Sequence, residues 1–414
     1  CSSDLVCISQ LFYAQEIIDL RNGDALVNPG KRMYIYEDQS TLLSIKEITK
    51  PETLKLFTPA TQEIPNFNVC ASAIWSRFII TTRVKENWLL EVGNPNAESV
   101  KCFISKKNKL IDSVEFGIHS SNSGRALKTY HGYYDLNISP NDTLELFIRW
   151  TDKTPLHLQF SIGTVSKFFE SDHLTNFSHG LFYGIIILMI IYNLFLAISG
   201  NGREYYFYVF YIFFNLLFLL FFTGHVSVLP QSIRNILYIH PVVIPAIFGT
   251  FGILFTMEFL QTKKLMPTIH FFMKLIIGFA AVIVLISLSN YFYIALFLLQ
   301  IEGILLAAVC LGSGIISFRN KNKFAKFYLF GYGAYLLGLT FFIGSDYDFF
   351  PFFNQRIYIL ESGAIAEAVM LSFAIGEKLN SANRERSEAQ QTALEISMEN
   401  EKIIREQNSM LEQK

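Results

Sequence analysis

Four glutamates stand where carboxylates are expensive. Glu258, Glu302, Glu361 and Glu367 interrupt long apolar runs, and an ionisable group inside hydrocarbon is costly enough to be read first as functional. Two chemistries fit them. One is a polar interior cluster whose pairing differs between signalling states; the other is a set of protonated, hydrogen-bonded glutamates that glue helices together. Glu367 lies deeper than Glu302 and Glu361, while Glu258 is near an inner end where Lys274 can pair with it. A second constellation is Trp75 beside Arg77. An aromatic ring next to a guanidinium suits sugar stacking or carboxylate capture, and suits a structural cation–π pair equally well. The histidines His173, His179, His225 and His240 show no metal-ligand register, and no metal or cofactor is expected. No nucleophile–base pair, phosphate loop or nucleotide-binding glycine motif is visible, so the chain does not read as an enzyme.

The elements that position these residues follow from composition. The chain has 414 residues, 51% hydrophobic and only 17% charged, with 40 Phe. Soluble domains carry about a quarter charged residues. Residues 28–165 have ordinary mixed polarity, 178–376 are overwhelmingly apolar, and 377–414 are almost wholly polar. Residues 1–27 form an N-terminal segment and 166–177 a linker. A formal net charge of −1 gives no basic face for nucleic acid. The stretch Leu5 to Ala14 suits a signal-peptide remnant, and Cys1 a lipidated terminus. Of the five cysteines, Cys70 and Cys102 lie in the same outer segment and are read either as a disulfide or as two free thiols.

About 20 apolar residues cross a bilayer as a helix. Seven spans are expected, at 178–199, 204–224, 238–259, 270–289, 292–318, 325–345 and 352–376. With the N-terminus outside, the inner flanks carry Arg203, Lys263, Lys264, Arg319, Lys321, Lys323, Lys326, Lys378, Arg384 and Arg386. The outer flanks offer Lys167 and Arg234, with Arg356 just inside the last span. That asymmetry places the first domain outside and the C-terminus in the cytoplasm.

Residues 28–165 read as short strands: 32–36, 74–82, 88–92, 99–105, 110–116, 144–150 and 156–162, divided by turns such as Gly93-Asn94-Pro95-Asn96. This spacing predicts an all-β sandwich or jelly roll. Alternation puts Trp88 with Leu90 and Val92, and Trp150 with Leu144, Leu146 and Ile148, on core-facing sides. Trp75 and Arg77 fall opposite Ile74, Phe78 and Ile80.

From Gln355 to Lys414 there is no proline, so the last span can run unbroken into the polar tail. There Leu379, Ala382, Arg386, Ala389, Ala393, Ile396, Asn400, Ile403, Gln407 and Met410 recur at alternating three- and four-residue steps. This is a heptad seam, with Asn400 at an a position favouring a defined dimeric register. The seam is small and polar, so the expected homodimeric coiled coil is easy to rotate or loosen.

The segments Tyr34-Ile35-Tyr36-Glu37-Asp38, Ala73-Ile74-Trp75-Ser76-Arg77-Phe78, Trp88-Leu89-Leu90-Glu91-Val92, His179-Gly180-Leu181-Phe182-Tyr183-Gly184, Ile191-Tyr192-Asn193-Leu194-Phe195 and Ser372-Phe373-Ala374, with Glu367 and Lys378-Leu379-Asn380, resemble those of bacterial seven-transmembrane receptors with diverse intracellular signalling modules. The resemblance covers about residues 30–390. It implies a jelly-roll outer domain suspected of carbohydrate binding, a sensor bundle in the bacterial inner membrane, and a cytoplasmic output module such as a kinase, cyclase or phosphatase. No signature of such a module precedes Lys414.

Two functions are therefore expected. The first is a receptor that binds a carbohydrate, another small molecule or an envelope protein through Tyr34, Tyr36, Glu37, Trp75 and Arg77, then signals through the last span to a cytoplasmic partner. The alternative is a transporter or channel using the intramembrane glutamates, which predicts a repeat between halves. A retinal protein needs a lysine in the seventh span, and residues 352–376 contain none.

Overall fold

The computed structural model describes residues 16–21, 26–93, 97–107, 109–117, 131–152, 155–199, 202–289, 291–347, 349–350 and 355–412. The signal-remnant and lipidation readings fall on residues 1–15, and the turn at 94–96 likewise lies outside the described residues.

The outer domain is built from strands β1 (Ile17–Leu20), β2 (Tyr34–Asp38), β3 (Thr58–Pro59), β4 (Ala73–Thr82), β5 (Trp88–Val92), β6 (Ser99–Lys106), β7 (Lys109–Phe116), β8 (Gly132–Asp135), β9 (Thr143–Thr151) and β10 (Phe160–Thr164). One sheet runs β3-β2-β4-β9-β6-β7, with β1 parallel on β4; the second runs β10-β5-β8. Inward residues of both sheets share one core. Ile74, Phe78, Ile80, Leu146, Ile148 and Trp150 meet Trp88, Leu90, Val92, Tyr134, Phe160 and Ile162. The alternation read for Trp88 and Trp150 is therefore realised as a two-sheet sandwich.

The boundaries move. Ile17–Leu20 pair with Ile79–Thr82, and Val27 bridges Ile162, so the sandwich reaches into the segment set apart as 1–27. The strands β1, β3 and β8 are too short to register as periodic runs. The strand placed at 156–162 starts at Phe160 instead. Two short helices, α1 (Ile45–Ile48) and α2 (Pro51–Leu54), follow β2. The first is set by a capping box in which Ser44 and Glu47 satisfy each other's end of the turn.

The linker expected at 166–177 is helix. α3 (Val165–Ser199) starts directly after β10. It is followed by α4 (Arg203–Phe222), α5 (Gln231–Ile239), α6 (Val243–Phe259), α7 (Thr262–Leu265), α8 (Pro267–Ser287), α9 (Phe292–Arg319), α10 (Ala325–Asp346) and α11 (Arg356–Glu412). The span expected at 238–259 is divided, because Pro241 cannot donate a helical hydrogen bond and disfavours helix at His240. Six described helices are long and apolar enough to cross a membrane. α6, at 17 residues, spans about 25 Å and is shorter than they are.

The chain divides into two compact units. One contains the sandwich, the first turns of α3 to Gly180, and the segments Leu219–Ile239 and Ile343–Phe353; the other contains the remaining helices. In the helical unit, α10 and α11 approach backbone to backbone. A Cβ on Gly363 would stand 2.8 Å from the Ala334 carbonyl oxygen, and one on Gly338 3.0 Å from that of Ile359. Small residues permit this approach where packing rather than water drives helix association. Replacing Gly363 by leucine should therefore lower the stability of the bundle by about 1–3 kcal/mol. Gly333→Ala, into open space, should be neutral, as read by detergent-titrated unfolding of the full chain.

Candidate functional site

The outer residues singled out from sequence are brought largely onto one face. The registers Tyr34↔Arg77↔Phe147↔Phe103 and Tyr36↔Trp75↔Arg149 run across β2, β4, β9 and β6. Tyr34, Tyr36, Trp75 and Arg77 thus share the side away from the sandwich core. Glu37 opposes Ile74 across β2 and β4 and accepts a 2.6 Å hydrogen bond from Ser72, so period-2 alternation takes it to the other side.

The shared face is roofed. Ile48 and Phe57 close over Trp75 and Phe147, with Leu43, Ile45 and Leu54 around them, and Trp75 is fully buried. Its ring stacks on Phe103 at 5.8 Å. The guanidinium of Arg77 lies 5.8 Å over Phe147 rather than over Trp75, and its Nε is 2.6 Å from Glu145. Of the two roles open for the Trp75–Arg77 pair, the stacking platform is not presented, because no ring face of Trp75 meets solvent. The residues of this set with solvent access are Tyr34, Tyr36, Glu37 and Arg77. Cys70 and Cys102 are free thiols. The sulfur of Cys102 lies in the sandwich core, and burial pushes its thiol up to about 12.

In the helical unit the polar centre is Glu367 on α11. Tyr211 of α4 donates to its Oε1 at 2.7 Å, and Tyr208 donates to the next carbonyl, that of Ala368, at 3.1 Å. Around them Tyr328 hydrogen-bonds Thr256 at 2.9 Å, Tyr335 donates to Asn215 at 3.4 Å, and Tyr328 stacks on Tyr332 at 5.2 Å. One helical turn past Ala368, Ser372 accepts from Asn193 of α3 at 2.7 Å and donates to the Ala368 carbonyl. α11 is thus held to α3 and α4 by phenol, hydroxyl and amide groups at successive turns.

The other glutamates separate. Glu302 is buried on α9, and a Cβ on Gly249 of α6 would lie 3.1 Å from its Oε1. It occupies a different helix contact from Glu367. Glu361 is buried one and a half turns before Glu367 on α11. Glu258 and Lys274 are both exposed, and among the described residues no ion pair joins them. The cation beside this end of α6 is Lys378 of α11. Its Nζ is 3.0 Å from Glu204 and donates to the Phe259 carbonyl at 3.2 Å, 5.0 Å above the Phe259 ring.

From there α11 continues without interruption through Gly376 to Glu412. Leu379 is half-buried, while Ala389, Ile396, Asn400 and Ile403 are exposed; the side chain of Met410 lies outside the described residues. A helix this long with its apolar positions in solvent needs a partner surface or charge pairs to persist. The pairs Arg384–Glu388 and Arg405–Glu401 supply the latter at i,i+4.

Sequence reasoning missed the tyrosines. Tyr328, Tyr332 and Tyr335, like Tyr208, Tyr211 and Asn215, recur at three- and four-residue steps on one helix face. That was the available signal, and it was hidden because a phenol counts as apolar in a hydropathy window.

Two family models match the chain. Residues 175–378 match the one described as 7TM diverse intracellular signalling, and residues 30–164 the one described as 7TMR-DISM extracellular 2. No curated protein matches it significantly.

Two substitutions check the site. Trp75→Ala should leave a cavity and destabilise the outer domain by about 3–5 kcal/mol in thermal or denaturant unfolding. Tyr211→Phe, which removes one hydrogen bond between α4 and α11, should weaken the bundle by only about 0.6–1.7 kcal/mol in detergent-titrated unfolding.

Proposed function

The chain belongs to the family of seven-transmembrane receptors with diverse intracellular signalling modules, and from that premise we propose that it works as a transmembrane sensor whose output lever is α11. It is a multi-pass membrane protein with an extracellular N-terminal domain. In this proposal the membrane is the bacterial inner membrane, α6 is the third of seven crossings, and the C-terminus lies in the cytoplasm. A carbohydrate, another small ligand or an envelope protein engages the outer domain. Tyr34, Tyr36 and Arg77 meet it at the edge of the roofed face, and Trp75 supports them from beneath.

The supporting observation is α11 itself. One helix carries Glu367 among the tyrosines, Lys378 at the membrane exit, and the heptad positions Leu379 to Met410. A ligand biases such a helix only by binding one of its two packings better than the other. The phenol–carboxylate contact at Glu367 is a place where two packings can differ. Rotation or sliding there is passed along the helix to a dimer seam of Ala389, Ile396, Asn400 and Ile403, and so to an output module or partner. A small, polar seam responds to weak forces. Nothing in this reading asks the chain itself for catalysis.

Disulfide trapping tests it. With the native cysteines replaced by serine, Ile396→Cys and Ile403→Cys should each crosslink two copies in membranes under mild oxidation. Adding Glu367→Ala should change the two yields several-fold relative to each other. Absence of crosslinking between copies, or yields indifferent to Glu367→Ala, contradicts the lever. Liposomes holding the chain alone should pass ions no faster than empty ones; flux would support the channel alternative instead.

A further inference from the structure

The first turns of α3 lie on the outer face of the β10-β5-β8 sheet. Leu89 of β5, Tyr133 of β8 and Phe168 of α3 form a small core there, with Leu26 and Val165 beside it. Alternation along β5 puts Glu91 on the same side as Leu89, and helical spacing puts Asp172 one turn beyond Phe168. His131, immediately before β8, completes a group in which one ligand atom from each of Glu91, His131 and Asp172 lies within 4.8 Å of the others.

The contacts inside the group are specific. His131 Nδ1 is 3.2 Å from Glu91 Oε1, and Tyr133 donates to Asp172 Oδ2 at 2.8 Å and reaches Glu91 Oε1 at 3.4 Å. The stripe continues along α3. Asn176 Oδ1 is 3.2 Å from His225 Nε2, and the His179 and His225 rings meet edge to face at 5.3 Å. All of these residues belong to the same compact unit.

Glu91 is only 8% exposed, and the ion-pair partner it shows among the described residues is His131. The His131 imidazole and the two carboxylates therefore converge on one small space, an arrangement that a bound cation can bridge.

We propose that Glu91, His131 and Asp172 hold a divalent transition-metal ion of the zinc class, clamping the start of α3 to the outer face of the three-stranded sheet. The donor set is one nitrogen and two carboxylate oxygens, which suits zinc and cobalt(II). Calcium asks for six to eight oxygens. Metal–ligand bonds of about 2.0–2.2 Å require the three side chains to close by about 1 Å. Tyr133 bonded to Asp172 orients that carboxylate as an outer-layer partner. Sequence spacing concealed the set because the ligands come from a strand, a loop and a helix 81 positions apart from first to last. The proposal does not depend on the receptor reading, since it concerns binding alone.

The test uses the full chain in detergent micelles with any affinity tag removed. Cobalt(II) absorption and zinc calorimetry should show one ion per chain, with magnesium giving none. Glu91→Gln, His131→Ala and Asp172→Asn should each weaken zinc binding about tenfold or more, and His270→Ala should leave it unchanged. Glu91→Gln keeps shape and volume, so it reports on ligation even where His131→Ala impairs folding, which thermal unfolding without metal would reveal. Absence of saturable zinc or cobalt binding overturns the proposal. So does binding that persists undiminished in Glu91→Gln and Asp172→Asn, or that magnesium matches.

Discussion

Inside hydrocarbon every backbone N–H and C=O must find its partner within the protein, and the final crossing meets that requirement as helix. Nothing then stops it. No proline follows Arg356, and the residues past Gly376 are mostly good helix formers. The same element that satisfies the bilayer becomes a rod of 57 residues, about 85 Å long. The tyrosines around Glu367, the Lys378–Glu204 pair at the exit and the exposed heptad are all arranged along that one object. A helix resists bending far more than it resists turning in its socket, and the proposed lever relies on that difference to carry a change of contacts at Glu367 to Ile396.

The socket is made in two ways. Toward α10 the contact is close, with Gly331, Gly338 and Gly363 letting backbones touch. Toward α3 and α4 it is polar, through Asn193–Ser372, Tyr208–Ala368 and Tyr211–Glu367. Packed glycine contacts are specific in distance, whereas hydrogen bonds between side chains in membranes are worth little each. α11 is therefore held by backbone contact on one side and by side-chain hydrogen bonds on the other.

Much of this was legible in the sequence because it follows from period and composition. The sandwich core at Trp88 and Trp150 obeyed simple alternation, and the unbroken last helix followed from the missing proline. What stayed hidden depended on tertiary neighbours. Trp75 read as an outward residue because β4 has two faces, and alternation cannot report that Ile48 and Phe57 cover the second one. The strands β1 and β8 have four residues each, too few for a periodic signal. α3 runs through the polar stretch 166–177 because polarity alone does not break a helix, and Lys167 to Asn176 contains neither proline nor glycine. Glu302, Glu361 and Glu367 are buried while Glu258 is exposed, and only contacts separate Glu367, bonded to a phenol, from Glu302, set against a glycine.

Spin labels measure the rod's continuity directly. Phe373 and Leu394 are both exposed on α11, and labels there, in chains diluted with unlabelled protein, report a distance within one helix. An unbroken helix predicts a narrow distribution near about 32 Å, the same in detergent and in bilayers. A broad or markedly shorter distribution would mean that the helix breaks near Gly376, and a lever cannot work through a break.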